Sequence, residues 1–182
     1  VICNSQAVHN VLSSHVPAKK LQVIYNGLLK VSSPSVAPRF RVQVNERPLT
    51  LCMVGHLAEH KGHRDAITAL SRLCSEGINV QLEIAGDGPR EYRQKMERLA
   101  EAHGVSKRIK FLGYQKDVNE IFCRADIHLV CTRCEAFGRV AVESMALGVP
   151  VIASNVGGLQ EIIHDGENGL LYTPGNDAEL SD

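Results

Sequence analysis

The sequence predicts an α/β fold, a Rossmann-like parallel sheet with helices on both faces. Three observations predict it. From Leu49 onward, short apolar runs alternate with longer amphipathic stretches, the order that right-handed crossovers turn into a parallel sheet. The runs are apolar at successive positions, as in strands covered on two sides. Several runs end in glycine, as in Val54-Gly55, Ala85-Gly86 and Leu112-Gly113, where backbone must turn tightly or come close to a ligand.

The elements follow in order. Residues 1–5 have strand character and residues 6–15 that of a short helix. Leu21–Tyr25 is a strand, and Asn26-Gly27 turns the chain. Residues 30–48 hold Ser32, Ser33, Pro34, Ser35, Pro38 and Pro48, the composition of a linker or exposed loop. Leu49–Val54 is an apolar strand. Gly62–Ser75 is amphipathic, with Ala66, Ile67, Leu70, Leu73 and Cys74 on one face. Val80–Ala85 is a strand, and Pro89–His103 a charged helix with Met96, Leu99 and Ala100 inward. Ile109–Leu112, Ile127–Cys131 and Val149–Ala153 are strands. Helices are expected over Val118–Cys123, from Gly138 to Leu147, and near Leu159–Ile163. Asp165–Gly169 forms a tight loop into a last short strand, and a new helix starts near Leu180. The domain expectation is 1–28 as the end of one unit and a hinge, 29–47 as a linker, and 48–182 as a domain. The chain opens within a strand and closes at a helix start, so both ends read as truncations.

Composition limits the function classes. Twenty Lys plus Arg balance twenty Asp plus Glu across 182 residues, which gives no support for a nucleic-acid or polybasic membrane role. No apolar run approaches the ~20 residues that span a bilayer. Val1–Ser5 has neither the basic start nor the apolar stretch of a signal peptide. Most of the six cysteines, Cys3, Cys52, Cys74, Cys123, Cys131 and Cys134, fall in apolar segments. That is the usage of reduced thiols in a cytosolic protein. Cys131-x-x-Cys134 is a redox or metal candidate, but no second pair stands at zinc spacing.

A parallel sheet binds ligands at the carboxyl ends of its strands, so the loops there carry the chemistry. After Val54 come Gly55, His56, His60 and Lys61. Lys61 precedes a helix start and suits a phosphate, or is a solvated loop lysine. His56 and His60 are four apart, but the surrounding glycines argue for a loop rather than a helical metal face. Gly86-Asp87-Gly88-Pro89 makes a tight turn into a helix, without the full dinucleotide fingerprint. Tyr114 and Gln115 either line a base pocket or anchor a loop. The densest segment is Glu135 to Glu143, two carboxylates with seven residues between them. Phe137 and Gly138 offer amides at a helix start, where an anion is favoured, and Arg139 adds charge. Eight steps at ~1.5 Å each give ~12 Å, roughly the reach from a sugar across a diphosphate to a ribose. The alternative is two surface glutamates beside a solvated helix start. Glu161, after the Gly157-Gly158 turn, is either a site acid or a helix-end salt-bridge partner.

Together these segments resemble a known family. Val54-Gly55-x-Leu57 with Lys61-Gly62, Ala85–Pro89, Phe111-Leu112-Gly113 and Ala125-Asp126 occur in the order found in the C-terminal domain of family 4 retaining glycosyltransferases. Glu135-x-Phe137-Gly138 through Glu143 to Gly148–Ala153, then Gly157-Gly158-x-x-Glu161-Ile162 and Gly166-x-Asn168-Gly169, complete the likeness. Residues 1–26 resemble the end of the N-terminal domain of such enzymes, so the resemblance covers essentially the whole chain.

The resemblance implies the C-terminal half of a GT-B fold, with residues 1–28 closing the acceptor domain. It implies a hexosyltransferase of the retaining type, acting from a nucleotide diphosphate sugar, with uridine the commonest base in the family. Glu143 matches the acid that grips the ribose. Glu135 matches the acid facing the donor sugar, and Lys61 the cation that neutralises the departing diphosphate. The amides of Phe137, Gly138, Arg139 and Val140 match those holding sugar and diphosphate. Gly55, Gly86 and Gly88 fall in loops near the nucleotide, and Tyr114 and Gln115 where the base is held. His56 stands where the family commonly has a second clamping Arg, so it supplies a hydrogen bond and, only when protonated, a charge. No metal or other cofactor is implied. The acceptor, a glycan or lipid in polysaccharide biosynthesis, would be met by an N-terminal domain. The location implied is cytoplasmic, with docking at the inner face of a membrane open to the complete protein. An epimerase of the same architecture and a non-catalytic nucleotide-binding module remain alternatives. A dinucleotide oxidoreductase is disfavoured by the incomplete glycine fingerprint.

Overall fold

The strands of the main sheet are short, parallel and ordered so that the chain reverses direction across its middle. A computed structural model describes residues 1–28 and 47–182. The linker expected at 29–47 lies, apart from Arg47, outside the described residues. Six strands are β3 (Leu49–Val54), β4 (Val80–Ala85), β5 (Ile109–Gly113), β6 (Ile127–Val130), β7 (Val151–Ser154) and β8 (Leu170–Tyr172). They lie in the order β5-β4-β3-β6-β7-β8, and every neighbouring pair is parallel. The chain winds one way from β3 to β5 and the other way from β6 to β8. The switch therefore falls between β3 and β6, where doubly wound sheets open a ligand crevice. Before them come β1 (Ile2–Cys3) and β2 (Gln22–Val23), a separate parallel pair flanking α1 (Gln6–Leu12).

Alternation along β3 sorts the helices onto two faces. Leu51 and Met53 point into the larger core with Ala66, Ile67 and Leu70 of α2 (His63–Ser75) and Met96 and Ala100 of α3 (Arg90–Ala102). Leu180 of α7 (Asp177–Ser181) joins the same cluster. Cys52 points the other way, onto Ile121 and Phe122 of α4 (Asn119–Arg124) and onto Leu147, which follows α5 (Arg139–Ala146). A third cluster joins Ala141 of α5, Leu159 of α6 (Leu159–Ile162) and Val151 and Ala153 of β7. Helices thus cover both faces, as expected from the sequence. Leu70 shows why α2 stays docked: its side chain is wholly buried, worth about 1.5–3 kcal/mol relative to exposure.

The boundaries differ from expectation for physical reasons. β7 begins at Val151 rather than Val149, because Pro150 has no N–H to give the ladder; its carbonyl accepts from His128 N at 2.9 Å. β6 ends at Val130, one residue early, where the Cys131 carbonyl turns against Gly62. The last helix begins at Asp177, ahead of Leu180, because the Asn176 side chain accepts from Glu179 N and caps it. The early helix stops at Leu12 rather than residue 15, and the first strands shrink to two residues each.

The second face is not purely apolar. Cys52, Glu83 and His128 lie side by side on β3, β4 and β6 by strand register. Glu83 is 5% exposed and meets Arg124 at 2.6 Å and Lys110 at 3.5 Å. His128 is fully buried, and its Nδ1 lies 2.8 Å from Ser144 Oγ. Since Ser144 gives its proton to the Ala141 carbonyl, the imidazole donates from Nδ1. Its Nε2 is then an acceptor with no partner among the described residues. Burial pushes the His128 pKa down to about 3.

Candidate functional site

A cavity of about 330 Å³ opens at the carboxyl ends of β3, β4 and β5, beside the switch point. Glycine backbone builds its floor. Gly55 follows β3 with φ +156 and Gly86 follows β4 with φ +150. The two loops touch so closely that a Cβ on Gly86 would lie 1.7 Å from the Gly55 carbonyl oxygen. Gly86 N donates to the Gly113 carbonyl at 2.8 Å, tying in the end of β5. A Cβ on Gly88 would meet the Leu57 carbonyl oxygen at 2.3 Å.

Side chains line the rest. His56, Tyr114, Gln115, Arg139, Val140 and Glu143 border this cavity together with Gly55 and Gly86. Tyr114 is 75% exposed at the rim, so it is not a buried loop anchor. The Gln115 amide is fixed by a 2.9 Å bond to the Leu112 carbonyl. Arg139 and Glu143 pair at 3.1 Å, one turn apart on α5.

Lys61 and Glu135 sit next door. Lys61 shares a smaller cavity with Gly55 and Val140, and its Nζ lies 2.9 Å from Glu135 Oε2. Lys61 ends a 3-10 turn, Glu59–Lys61, that Gly62 closes in the left-handed region at φ 67. Only glycine fits there, since a Cβ would strike the Cys131 carbonyl oxygen at 1.8 Å. Gly138, at φ 97, precedes α5, and no side chain caps that helix. Its first amides therefore lack intrahelical acceptors and face the crevice with the positive end of the dipole. Phe137 is buried and packs 6.1 Å from the Tyr25 ring. Among the expected residues, Phe137, Gly138 and Gly88 thus shape the walls from behind rather than line the larger cavity. The two expected acids are each paired with an expected cation, an arrangement that an incoming anionic group can compete for.

A network absent from the sequence reading holds the two charged loops together. Arg133 donates to both oxygens of buried Asp65, at 2.5 and 2.7 Å. The Tyr172 hydroxyl donates to the same carboxylate at 3.2 Å. Arg133 N donates to the His60 carbonyl at 2.6 Å, and the Thr132 hydroxyl donates to the Cys134 carbonyl at 2.7 Å. The loop that carries Lys61 is thereby stapled to the loop that carries Glu135. Beside it, His63 is buried and its pKa lowered to about 4, mainly by desolvation. No sequence signal marks this network, because Asp65, Arg133 and Tyr172 lie on three separate elements.

The structure also places the remaining cysteine and acid candidates. Cys131 and Cys134 are both free thiols, Cys131 buried and Cys134 exposed. Burial pushes the Cys131 thiol up to about 12. Among the described residues, no three His, Cys, Asp or Glu side chains converge as a metal site, and no helix is long and apolar enough to cross a membrane. Glu161 does not line either cavity and pairs with no cation among the described residues; it accepts from the backbone amides of Gln6 and Ala7 and from the Tyr25 hydroxyl.

A doubly wound sheet with a charged crevice at its switch point defines an α/β protein of Rossmann-like architecture, a class that takes ligands at the carboxyl ends of its strands. The family profile described as "Glycosyl transferases group 1" matches residues 37–182, and the chain belongs to that family. Among curated proteins it is similar to the lipopolysaccharide core biosynthesis glycosyltransferase LpsE of Rhizobium meliloti. That pair is 30% identical over 98% of this chain and 50% of the relative. It is also similar to N-acetyl-alpha-D-glucosaminyl L-malate synthase of Bacillus anthracis, at 29% identity over 91% of this chain and 44% of that protein. The crystal structure of Anabaena Alr3699/HepE in complex with UDP and glucose matches all of this chain and 51% of that one, with a TM-score of 0.87 and 32% identity. The fold is thus that of GT-B glycosyltransferases, and the chain spans about half the length of these relatives.

Proposed function

We propose that this chain is the donor-binding half of a retaining glycosyltransferase, which moves a sugar from a UDP-sugar to a glycan or lipid acceptor. The observation that carries the reading is the crevice itself. Two carboxylates, two cations and an uncapped helix start converge at the switch point of one sheet. The Anabaena relative, crystallised with UDP and glucose, supports uridine as the base.

Placement around the crevice supports the following roles. Glu143, on the second turn of α5, accepts from the ribose hydroxyls, and Arg139 beside it is freed toward phosphate. Tyr114 and Gln115 flank the base at the far rim. The amides of Phe137 to Val140 and the Lys61 ammonium receive the diphosphate. In transfer, the bond from the anomeric carbon to the diphosphate oxygen breaks and its electrons leave with UDP. A bond to the acceptor oxygen forms on the same face, and the acceptor's proton is released. Negative charge grows on the leaving oxygen, where Lys61 and the helix amides stabilise it. Positive charge grows at the anomeric carbon, where Glu135 lies. His56 adds a second cation only when protonated. Residues 1–28 are the end of the acceptor domain in this reading, and 48–182 the donor domain.

Calorimetric titration of this chain with UDP, GDP and ADP, alongside Glu143→Ala, tests the proposal. The expected result is weak binding that favours UDP, is lost in the variant, and is not accompanied by sugar transfer. Equal binding of all three nucleotides, or a variant that binds as well as the parent, would remove the basis for the assignment.

A further inference from the structure

Glu161 sits behind the crevice, on α6, and its carboxylate is engaged away from it. Oε2 accepts from Gln6 N at 2.8 Å and from the Tyr25 hydroxyl at 2.9 Å, while Oε1 accepts from Ala7 N at 2.7 Å. The next amide of α1, Val8 N, donates to Ser5 Oγ at 3.1 Å. The first turn of α1 is therefore capped jointly by its own Ser5 and by a residue 154 positions away from Ala7. A carboxylate at a helix start is favoured by donors and dipole together. Tyr25, on the segment that leaves β2, closes the grip from the other side. Its ring also reaches Phe137, with 6.1 Å between centroids.

The same α6 is fused to the Glu135 loop. Gly158 N donates to the Glu135 carbonyl at 3.0 Å. A Cβ on Gly157 would lie 2.1 Å from that carbonyl oxygen, and one on Gly158 would lie 2.6 Å from Phe137 Cα. Leu159 packs on Gly138, where a Cβ would come within 2.7 Å of Leu159 Cδ2. Between Glu161 and Glu135 lie the close backbone contact of the Gly157-Gly158 turn and the fully buried Leu159 side chain, a packed path that transmits a displacement rather than absorbing it.

We propose that Glu161 and Tyr25 form a clasp that couples residues 1–28 to the Glu135–Gly138 loop, making Glu161 a positioning residue for the acid at the crevice. The clasp acts through packing. When α1 is held, the Gly157-Gly158 turn is pressed onto the Glu135 carbonyl, and the Glu135 side chain stays in reach of Lys61. When α1 is released, α6 loses its outer support and the loop gains freedom. The position of the chain's first 28 residues is thereby communicated to the crevice without contact with any ligand there. This inference deepens the donor-site reading and rests on it only for its affinity arm.

Amide hydrogen exchange on the 182-residue chain tests the coupling, with Glu161→Gln and Tyr25→Phe. Gln keeps the shape but loses the charge and one acceptor. Glu161→Gln is expected to speed exchange over Gln6–Leu12 by about tenfold and to speed it also at Gly158, whose amide is bonded to the Glu135 carbonyl. Protection in β3, β4 and β6 should stay unchanged, which shows that the fold persists. Tyr25→Phe, which leaves both amide bonds in place, should move the same two regions by less. UDP affinity should fall several-fold in Glu161→Gln. Faster exchange at 6–12 with no change at Gly158 would overturn the coupling and leave Glu161 as a helix cap. Unchanged exchange at 6–12 would overturn the clasp itself. If UDP does not bind the parent chain, the donor-site reading fails, and exchange at Gly158 still decides for or against the coupling.

Discussion

The two rims of the crevice are built from different material. The rim at the ends of β3, β4 and β5 is backbone on backbone: Gly86 lies against Gly55, Gly88 against Leu57, and Gly86 bonds to Gly113. The rim at the ends of β6 and β7 has one close backbone contact of its own, Gly157 and Gly158 against the Glu135 loop, and adds to it a set of side-chain ties that the first rim lacks. Arg133, Asp65 and Tyr172 form its staple, Ser154 donates to the Thr132 carbonyl, and His128 supports α5 through Ser144. A backbone rim is specified by small residues at a few adjacent positions. A side-chain rim is specified by pairs that meet only after folding. The first gives a rigid floor, and the second a wall whose charges are adjustable.

The largest effect should come from the backbone rim. Gly86→Ala places a Cβ 1.7 Å from a carbonyl oxygen and 2.7 Å from its carbon. Neither is the tip of a flexible side chain, so the strand ends must separate. We expect a loss above ~3 kcal/mol in urea denaturation, in the upper range for single substitutions. Gly113→Ala makes the control, because φ is +69 there but no atom lies within 4 Å. It should cost only the ~1–2 kcal/mol of left-handed strain. Equal costs at the two positions would mean that close approach does not define this rim.

The side-chain rim should break more gently. Asp65→Asn keeps the shape of a residue that is 4% exposed but leaves Arg133 without its counter-charge. The Arg133 side chain is 40% exposed, so water replaces part of what is lost. We expect about 1–3 kcal/mol of destabilisation, together with faster amide exchange at His60–Gly62, since the staple ties that loop down. Tyr172→Phe should cost less, because it removes one neutral hydroxyl and leaves the Arg133–Asp65 pair intact. An Asp65→Asn variant as damaged as Gly86→Ala would erase the contrast between the rims.

This difference also decides what was legible in advance. Gly55, Gly86, Gly113 and Gly138 stand next to strand ends and helix starts, so local pattern alone marks them. The apolar faces of α2 and α3 are periodic, and Ala66, Ile67, Leu70, Met96 and Ala100 are buried as read. The Asp65–Arg133–Tyr172 network spans 107 residues, and no local period reports a pairing at that distance. Asp65 and Arg133 read as ordinary surface charges until the fold brings them together. Glu161 stands out in the sequence as an acid after a glycine turn, but two of its three partners are amides on α1, which carry no residue-type signal, and the third, Tyr25, lies 136 positions away. Glu83 and His128 interrupt strands that look apolar, and only register reveals Arg124 and Ser144 as their partners.

His128 gives the side-chain rim a pH dependence. Its folded pKa, near 3, lies below the ordinary histidine value of about 6.5. The unfolded chain therefore binds the proton first as pH falls. Its stabilising contribution is complete above pH ~6.5 and is lost progressively toward the folded pKa, with a slope of at most ~1.4 kcal/mol per pH unit. His63, lowered to about 4, acts in the same direction. Denaturation midpoints from pH 7 to 4.5 should fall for the parent chain and fall less steeply for His128→Asn. Parallel curves would show that His128 is not held neutral by burial.

The smallest effect is expected where the backbone rim does carry an ion pair. Glu59 and Lys95 meet at 2.9 Å between the Lys61 loop and α3, with side chains 69% and 54% exposed. Such a pair contributes between nothing and ~1 kcal/mol, because both ends are hydrated and mobile. The loop has firmer holds: Leu57 N bonds to the Asp87 carbonyl at 2.8 Å, and Gly62 is pressed against Cys131. Glu59→Gln should therefore shift stability by less than ~0.5 kcal/mol, and salt should shrink even that. It should also leave exchange at His60–Gly62 unchanged, unlike Asp65→Asn. A loss near that of Asp65→Asn, persisting in 1 M salt, would mean that this rim too depends on paired side chains; the rims would then differ in glycine content but not in what holds them.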